Sequence, residues 1–409
     1  MSETAAPTRM AEATAPAIAF ASRPDLSWSA RATGVAGIEQ ALARIWSEAP
    51  DTAIGPDGEP HVVARTSVLN LVTVARRPEL ADRALDTFTA LTGRHPSRSI
   101  LIVTVDPDGP RQLWANVTAR CLLPTAGRAA ICTETIIVTA GGDAGSHLAS
   151  IIPPLLVHDL PVALWWPGDV PFGRHDFQQL VGRALETDRL VVDGSGWSGD
   201  GMAGIRRLGA ILDTGPIAVS DFALMRQSRW REAIASAFDQ PALLPYLRSI
   251  RSLRVTYATA PDASAGTNVV RPLYHVAWLA SRLGWSVVRP LRSEADGIWT
   301  AVMRRPRGEV AVTLEPEPSA ALPPGSTLRM RIVAERRRSV LKAEVTARAE
   351  AVIVRARLDD RDALDRVYHA ARRTDADLLA EAIESGGRDP VATAAIAMAA
   401  ALAGPERAG

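Results

Sequence analysis

Between residues 285 and 357 the chain lays down six β-rich runs with no helical stretch between them, at 285–290, 298–304, 309–314, 327–334, 339–344 and 351–357. Neighbouring parallel strands need a crossover of a dozen or more residues, usually a helix, and no helical pattern stands in any of these connections. The strands must therefore pair mainly antiparallel, which predicts an α+β half with an antiparallel sheet. Long helical patterns precede them at 220–238 and 269–283, and the spacing predicts further helices at 362–371 and in the Ala-rich segment 391–403.

The first half has a different rhythm. Ile38, Ala41, Leu42, Ile45 and Trp46 recur at helical spacing, and a helix with Pro78 at its start is expected at 78–91. Strand patterns at 67–75, 99–105, 162–166 and 189–193 alternate with helical ones at 147–156 and 176–185. Runs at 113–122 and 130–140 read as a hairpin. This is the pattern of a mixed α/β domain, so the whole chain is expected to be α/β (α+β). Gly194–Gly201, with four glycines, is the expected boundary, giving a disordered tail at 1–34, an α/β domain at 35–199 and an α+β domain at 200–409.

A formal net charge of +1 argues against nucleic acid or an anionic membrane surface as the main partner. The Ala-rich C-terminal run is too short to span a bilayer and no targeting signal stands out, so the expected location is cytoplasmic. The seven histidines stand singly without zinc-ligand spacing, and no Gly-x-Ser-x-Gly elbow is present. Neither a catalytic residue nor a cofactor or metal is expected.

Pro161–Asp169 reads Pro-Val-Ala-Leu-Trp-Trp-Pro-Gly-Asp. Pro167 and Gly168 stop a short buried-strand pattern just after Trp165 and Trp166, placing two large rings at a strand terminus. Strand ends are where α/β proteins build sites, and tryptophan is a favoured interface anchor, so Trp165, Trp166, Pro167 and Asp169 read as a recognition segment. In His95-Pro96-Ser97-Arg98, His95 and Arg98 could bind an anion, or the group could simply set a turn and bond to nearby backbone. Trp230 continues a helical apolar stripe with Phe222, Met225 and Ile234, which favours a core role. Cys121 and Cys132 lie symmetrically about the hairpin turn; they read either as inert buried thiols or as a cross-strand redox pair. The rival to recognition is a dinucleotide- or sugar-phosphate-binding enzyme or sensor using Gly194-Ser195-Gly196-Trp197-Ser198-Gly199, which follows a strand and, with Asp213 about 20 residues on, matches a dinucleotide fingerprint. A linker is the plainer reading of the same residues.

Several segments together resemble one family. They are His95-Pro96-Ser97-Arg98, Pro154-Leu155-Leu156 leading into Asp159–Pro167, Trp230-Arg231 with Phe238-Asp239-Gln240-Pro241, Ala277–Leu283, and Val367-Tyr368-His369-Ala370. Their order and spacing, from about Ala36 to Ala371, are similar to the glucose-6-phosphate dehydrogenase assembly protein family, OpcA. The resemblance implies a non-catalytic assembly factor and allosteric activator. Its partner would be the tetrameric glucose-6-phosphate dehydrogenase of the oxidative pentose phosphate pathway, met by protein–protein binding. It adds Trp230, Asp239, Gln240, Tyr368 and His369 as family-pattern positions for partner binding or structure. Cyanobacterial members are linked to thioredoxin control through cysteines, and Cys121 and Cys132 do not match those positions.

Overall fold

The computed structural model describes residues 25–56, 58–123, 130–260 and 266–405. The first 24 residues of the expected tail and the turn of the expected hairpin lie outside this set.

The described chain opens with β1 (Asp25–Thr33) and α1 (Gly34–Glu48), followed by a small hairpin of β2 (Thr52–Ile54) and β3 (Pro60–Val62). Next come β4 (Asn70–Ala75), α2 (Pro78–Leu91), β5 (Arg98–Val105), β6 (Gln112–Leu122) and β7 (Ile131–Gly141). The short helices α3 (Leu148–Ile151) and α4 (His175–Gln179) flank β8 (Val162–Trp166), and β9 (Arg189–Val192), α5 (Met202–Thr214) and β10 (Ala218–Asp221) follow. The strands form one eight-stranded sheet in the order β1-β6-β7-β5-β4-β8-β9-β10. From β7 to β10 all neighbours are parallel; β1 and β6 add an antiparallel edge.

Every residue of β4, β8, β9 and β10 is buried. Continuous apolar strands of this kind belong in a parallel sheet covered on both faces. Ile38, Leu42 and Ile45 of α1 and Ile205, Leu208 and Leu212 of α5 cover one face. Ala84, Phe88 and Leu91 of α2 cover the other.

The second half runs through α6 (Phe222–Met225), α7 (Ser228–Ser236), β11 (Ile250–Thr259), α8 (Val270–Arg282), β12 (Ser286–Ser293), β13 (Trp299–Arg305) and β14 (Gly308–Pro318). It continues with β15 (Thr327–Arg336), β16 (Ser339–Arg348), β17 (Ala351–Leu358), β18 (Arg361–His369), α9 (Asp375–Glu384) and α10 (Pro390–Ala403). Its eight strands are ordered β12-β13-β14-β11-β15-β16-β17-β18, antiparallel except for the β11–β14 pair. All six runs expected between 285 and 357 are strands of this sheet, and α8 supplies Leu273, Tyr274, Val276 and Ala277 to its core. The other face carries cross-strand ion pairs such as Arg331–Glu344 and Arg355–Asp365, solvated pairs that add little stability.

Four expectations need correction. Residues 25–33, expected within the tail, form β1, whose exposure alternates along the strand as it pairs with β6. The boundary at 199/200 falls inside the first sheet, because β10 pairs with β9 and α9 returns from the C-terminal end to cover Trp165's face. The expected helix at 362–371 is β18: Asp359 and Asp360 both adopt left-handed backbone (φ 49° and 64°) and reverse the chain into a hairpin. The helix expected at 220–238 breaks where Asp221 ends β10 and caps α6 by accepting from Ala223 N–H.

Candidate functional site

The tryptophan pair is core, and this corrects its expected role as a surface anchor. Trp165 is 0% and Trp166 2% exposed. Strand β8 lies mid-sheet between β4 and β9, so successive side chains enter the two covered faces. Trp165 meets Phe222 at 6.0 Å between ring centroids; Trp166 meets Phe177 edge-on at 5.3 Å and lies under the Arg76 guanidinium at 5.7 Å. Trp166 Nε1–H donates to the Asp169 carbonyl at 3.0 Å, folding the chain back after the strand. Pro167 is buried too, with its carbonyl accepting from Arg83, and Asp169 is exposed with its carboxylate accepting Ser198 N–H at 2.7 Å.

Arg98 is likewise unavailable to a partner. It is 7% exposed, its Nε donates to Glu134 at 2.6 Å and its Nη1 to the Leu155 carbonyl at 3.0 Å. Glu134, 1% exposed, also accepts from Arg65 and Trp46, so the charged cluster locks β5, β7 and α1 together. This corrects the anion-binding option for Arg98 in favour of the structural one. His95 sits nearer the surface, 3.1 Å from Glu384 of α9.

Trp230 is partly buried against the His275 ring at 4.8 Å, in keeping with a core role. Burial, and then Arg231, pushes the His275 imidazole down to about 3, so it is neutral near pH 7. Tyr368 is partly buried and His369 exposed, both on the edge strand β18. Cys121 and Cys132 stand directly opposite in the β6–β7 register, both buried, and their sulfurs are joined in a disulfide rather than left as two thiols.

The dinucleotide reading of the Gly194 turn does not survive the geometry. Asp213 lies exposed in the last turn of α5, not at a strand end. The acid at the end of β10 is Asp221, 1% exposed, and its carboxylate is already occupied by Gly194 N–H (2.9 Å), Ala223 N–H (2.8 Å) and Tyr274 O–H (2.7 Å). The turn N–H that would face a pyrophosphate is thus bonded to protein, and Trp197 is packed against Gly204, where a Cβ would come within 2.3 Å of its ring.

Sequence reading missed a ring of charges at the carboxyl end of β9. Asp193 accepts from Arg83 Nη2 at 3.0 Å and Arg226 Nη1 at 2.8 Å; Asp375 accepts from Arg226 Nη2 at 2.9 Å and also from Arg83 Nε. Burial pushes the Asp193 carboxyl up, but Arg226, Ser195 and Arg83 outweigh it and hold it at about 2. Its partners are separated by up to 292 positions along the chain, so no local pattern could reveal it.

Asp221 moves the other way. Burial raises it to about 6; the bond from Gly194 N–H opposes that rise, and Asp193 adds to it. A raised carboxyl favours the folded state when protonated, so its contribution is full below about pH 3.9 and is lost as pH rises through about 6. The depressed Asp193 contributes above about pH 3.9 and loses that contribution as pH falls through about 2. Between pH 7 and 4 the parent protein is therefore expected to gain stability relative to Asp221→Asn, measured as urea midpoints. Parallel curves would mean that Asp221 titrates normally.

Two adjoining OpcA family models match the chain in order. The first is described as the N-terminal domain of a glucose-6-phosphate dehydrogenase subunit and matches residues 88–209; the second is described as the C-terminal domain of the same subunit and matches residues 217–396. The chain belongs to the OpcA family. Similar OpcA relatives occur in Nostoc punctiforme (27% identical over 206 residues, 50% of this chain), Synechococcus elongatus (29% over 190 residues, 46%) and Synechocystis (27% over 227 residues, 54%). All three carry the provisional name OxPP cycle protein OpcA. The chain covers 41%, 40% and 44% of their respective lengths. The two OpcA matches meet between residues 209 and 217, yet β10 on the C-terminal side completes a sheet whose other strands lie on the N-terminal side. Among the described residues of this OpcA chain, no helix is long and apolar enough to cross a membrane.

Proposed function

We propose that this chain is a non-catalytic assembly factor and activator of a tetrameric glucose-6-phosphate dehydrogenase, acting in the cytoplasm by direct binding. The observation that carries the reading is the ordered pair of family matches, both described as part of a subunit of that dehydrogenase. An activator of this kind works by binding the active form better than the inactive one, so its effect is bounded by that difference in affinity.

Burial narrows the candidate interface. Of the residues nominated from sequence, Asp169, Asp239 and His369 are exposed, while His95, Trp230, Gln240 and Tyr368 are partly so. Among the described strands β18 pairs only with β17, and Val367 on it is 66% exposed. An open edge beside apolar and aromatic side chains suits strand-edge docking, and we assign the contact to it.

The test is the activity of the same organism's dehydrogenase with and without the chain, across substrate concentration, together with co-elution on a sizing column. A lowered apparent KM or raised turnover with a stable complex supports the reading; no complex and no change overturns it. The double variant Tyr368→Ala/His369→Ala is expected to weaken the complex at least about thirtyfold, the scale of one interface hot spot. Undiminished affinity would move the contact away from β18.

A further inference from the structure

Beside the charge ring, one guanidinium has no carboxylate bonded to it among the described residues. Arg271 sits in the first turn of α8, partly buried, with Nη1 donating to Ser326 Oγ at 2.9 Å and Nη2 to Ser195 Oγ at 3.2 Å. Two hydroxyls do not neutralise a guanidinium. Its Nε–H is buried without an acceptor. Ser326 is 6% exposed and accepts from Arg271, while its own O–H has no acceptor among the described residues. Ser195 spends its proton on Asp193 at 2.6 Å and is approached by Arg226 at 3.4 Å.

The charge around it is mixed. Arg226 and Arg372 repel Arg271, whereas Asp193 and Asp221 attract it. Asp193 is already shared between Arg83 and Arg226, and Asp221 is bonded to Tyr274. No acidic residue stands in the first turn of α8, whose amide end adds further partial positive charge. Ser195 follows the carboxyl end of β9, the end of a parallel sheet where α/β proteins take ligands.

We propose that Arg271, with Ser326, binds the phosphate group of a small phosphorylated metabolite at the seam between the two sheets, while Ser195, its proton held by Asp193, positions the guanidinium. Unspent donors on a guanidinium and a hydroxyl suit a tetrahedral dianion rich in acceptors. Arg271 and Ser326 belong to the second half and Ser195 to the turn after the first sheet's β9, so the anion would sit where Arg271 already bonds across the seam. The proposal stands apart from the partner reading above, because it concerns binding to this chain alone.

The test is calorimetric titration of the full chain with inorganic phosphate, a hexose 6-phosphate and a nucleoside monophosphate, against sodium chloride at matched ionic strength. Saturable binding by at least one phosphate compound is expected, and the tightest of the three identifies the source of the group. Arg271→Gln should weaken it at least about tenfold, with Arg271→Lys retaining part of the affinity. Ser326→Ala, which removes only a hydroxyl, gives a second reading should Arg271→Gln fail to fold, and should also weaken binding. No saturable binding by any of the three, or equal affinity in the variants, overturns the site. So does loss of dehydrogenase binding in Arg271→Gln without any phosphate binding by the parent chain, which would assign the charge to a partner's carboxylate.

Discussion

Trp165→Ala is expected to destabilise the protein by about 3–5 kcal/mol, the usual cost of truncating a fully buried aromatic to alanine. The ring fills the space between β8, α2, Phe222 and α9, on a face where Leu71, Leu101 and Val191 are also buried. Its removal leaves a cavity that close-packed neighbours collapse into only partly. The urea midpoint should fall sharply, and Trp166→Ala should behave similarly through loss of its contacts with Phe177 and Arg76. Whatever fraction stays folded should bind the proposed dehydrogenase partner as the parent does, because neither ring reaches the surface. A Trp165→Ala protein with parental stability but no binding would instead make the pair an interface element and refute its burial.

The second large effect is expected at Asp193. Replacing it by alanine leaves Arg83 and Arg226 buried against a single remaining carboxylate, and breaking one partner of a buried pair costs about 3–5 kcal/mol. Both arginines keep some exposure, 30% and 24%, which places the expectation at the lower end, near 3 kcal/mol. Asp375→Ala should cost less, since Asp375 is 19% exposed against 6% for Asp193. The four groups form one closed network, and losing both acids leaves the two guanidiniums without any carboxylate, so the double variant Asp193→Ala/Asp375→Ala should cost more than the sum of the singles. Simple additivity would mean that the two acids act independently.

Much of the architecture could be read from local pattern. The helix at 78–91, the hairpin strands β6 and β7 and the six strand runs after 285 all follow from periodicity and turn residues, and all are present. The failures have distinct physical causes. Strand β1 was legible in the alternation of Leu26, Trp28, Ala30 and Ala32, but its Ala, Ser and Thr content resembled the preceding tail. Strand β18 was misread because Leu364, Val367 and Tyr368 mimic helical spacing, and the Asp359–Asp360 reversal outweighs that pattern. Strand β11 carries polar residues at Arg251, Ser252, Arg254 and Thr256, which hide its place mid-sheet.

The site was less legible for a related reason. The Trp165-Trp166 dipeptide announces a strand end, but whether its faces meet solvent or helices depends on strand order and on α9, fixed about 200 residues later by long-range packing. Arg98 looked like an anion binder because its partner Glu134 lies 36 positions away on another strand.

The late arrival of α9 also shapes how the protein is made. A ribosome releases β10, the last strand of the first sheet, well before Asp375–Glu384 emerges. At ordinary elongation rates that interval of roughly 150 residues lasts on the order of ten seconds. Throughout it the face holding Trp165, Leu101 and Phe222 lacks part of its cover, so the nascent chain presents a sticky apolar surface to its surroundings. Translation pausing between the two halves should therefore raise the yield of aggregates, and chaperone occupancy should end only once the C-terminal helices have left the exit tunnel.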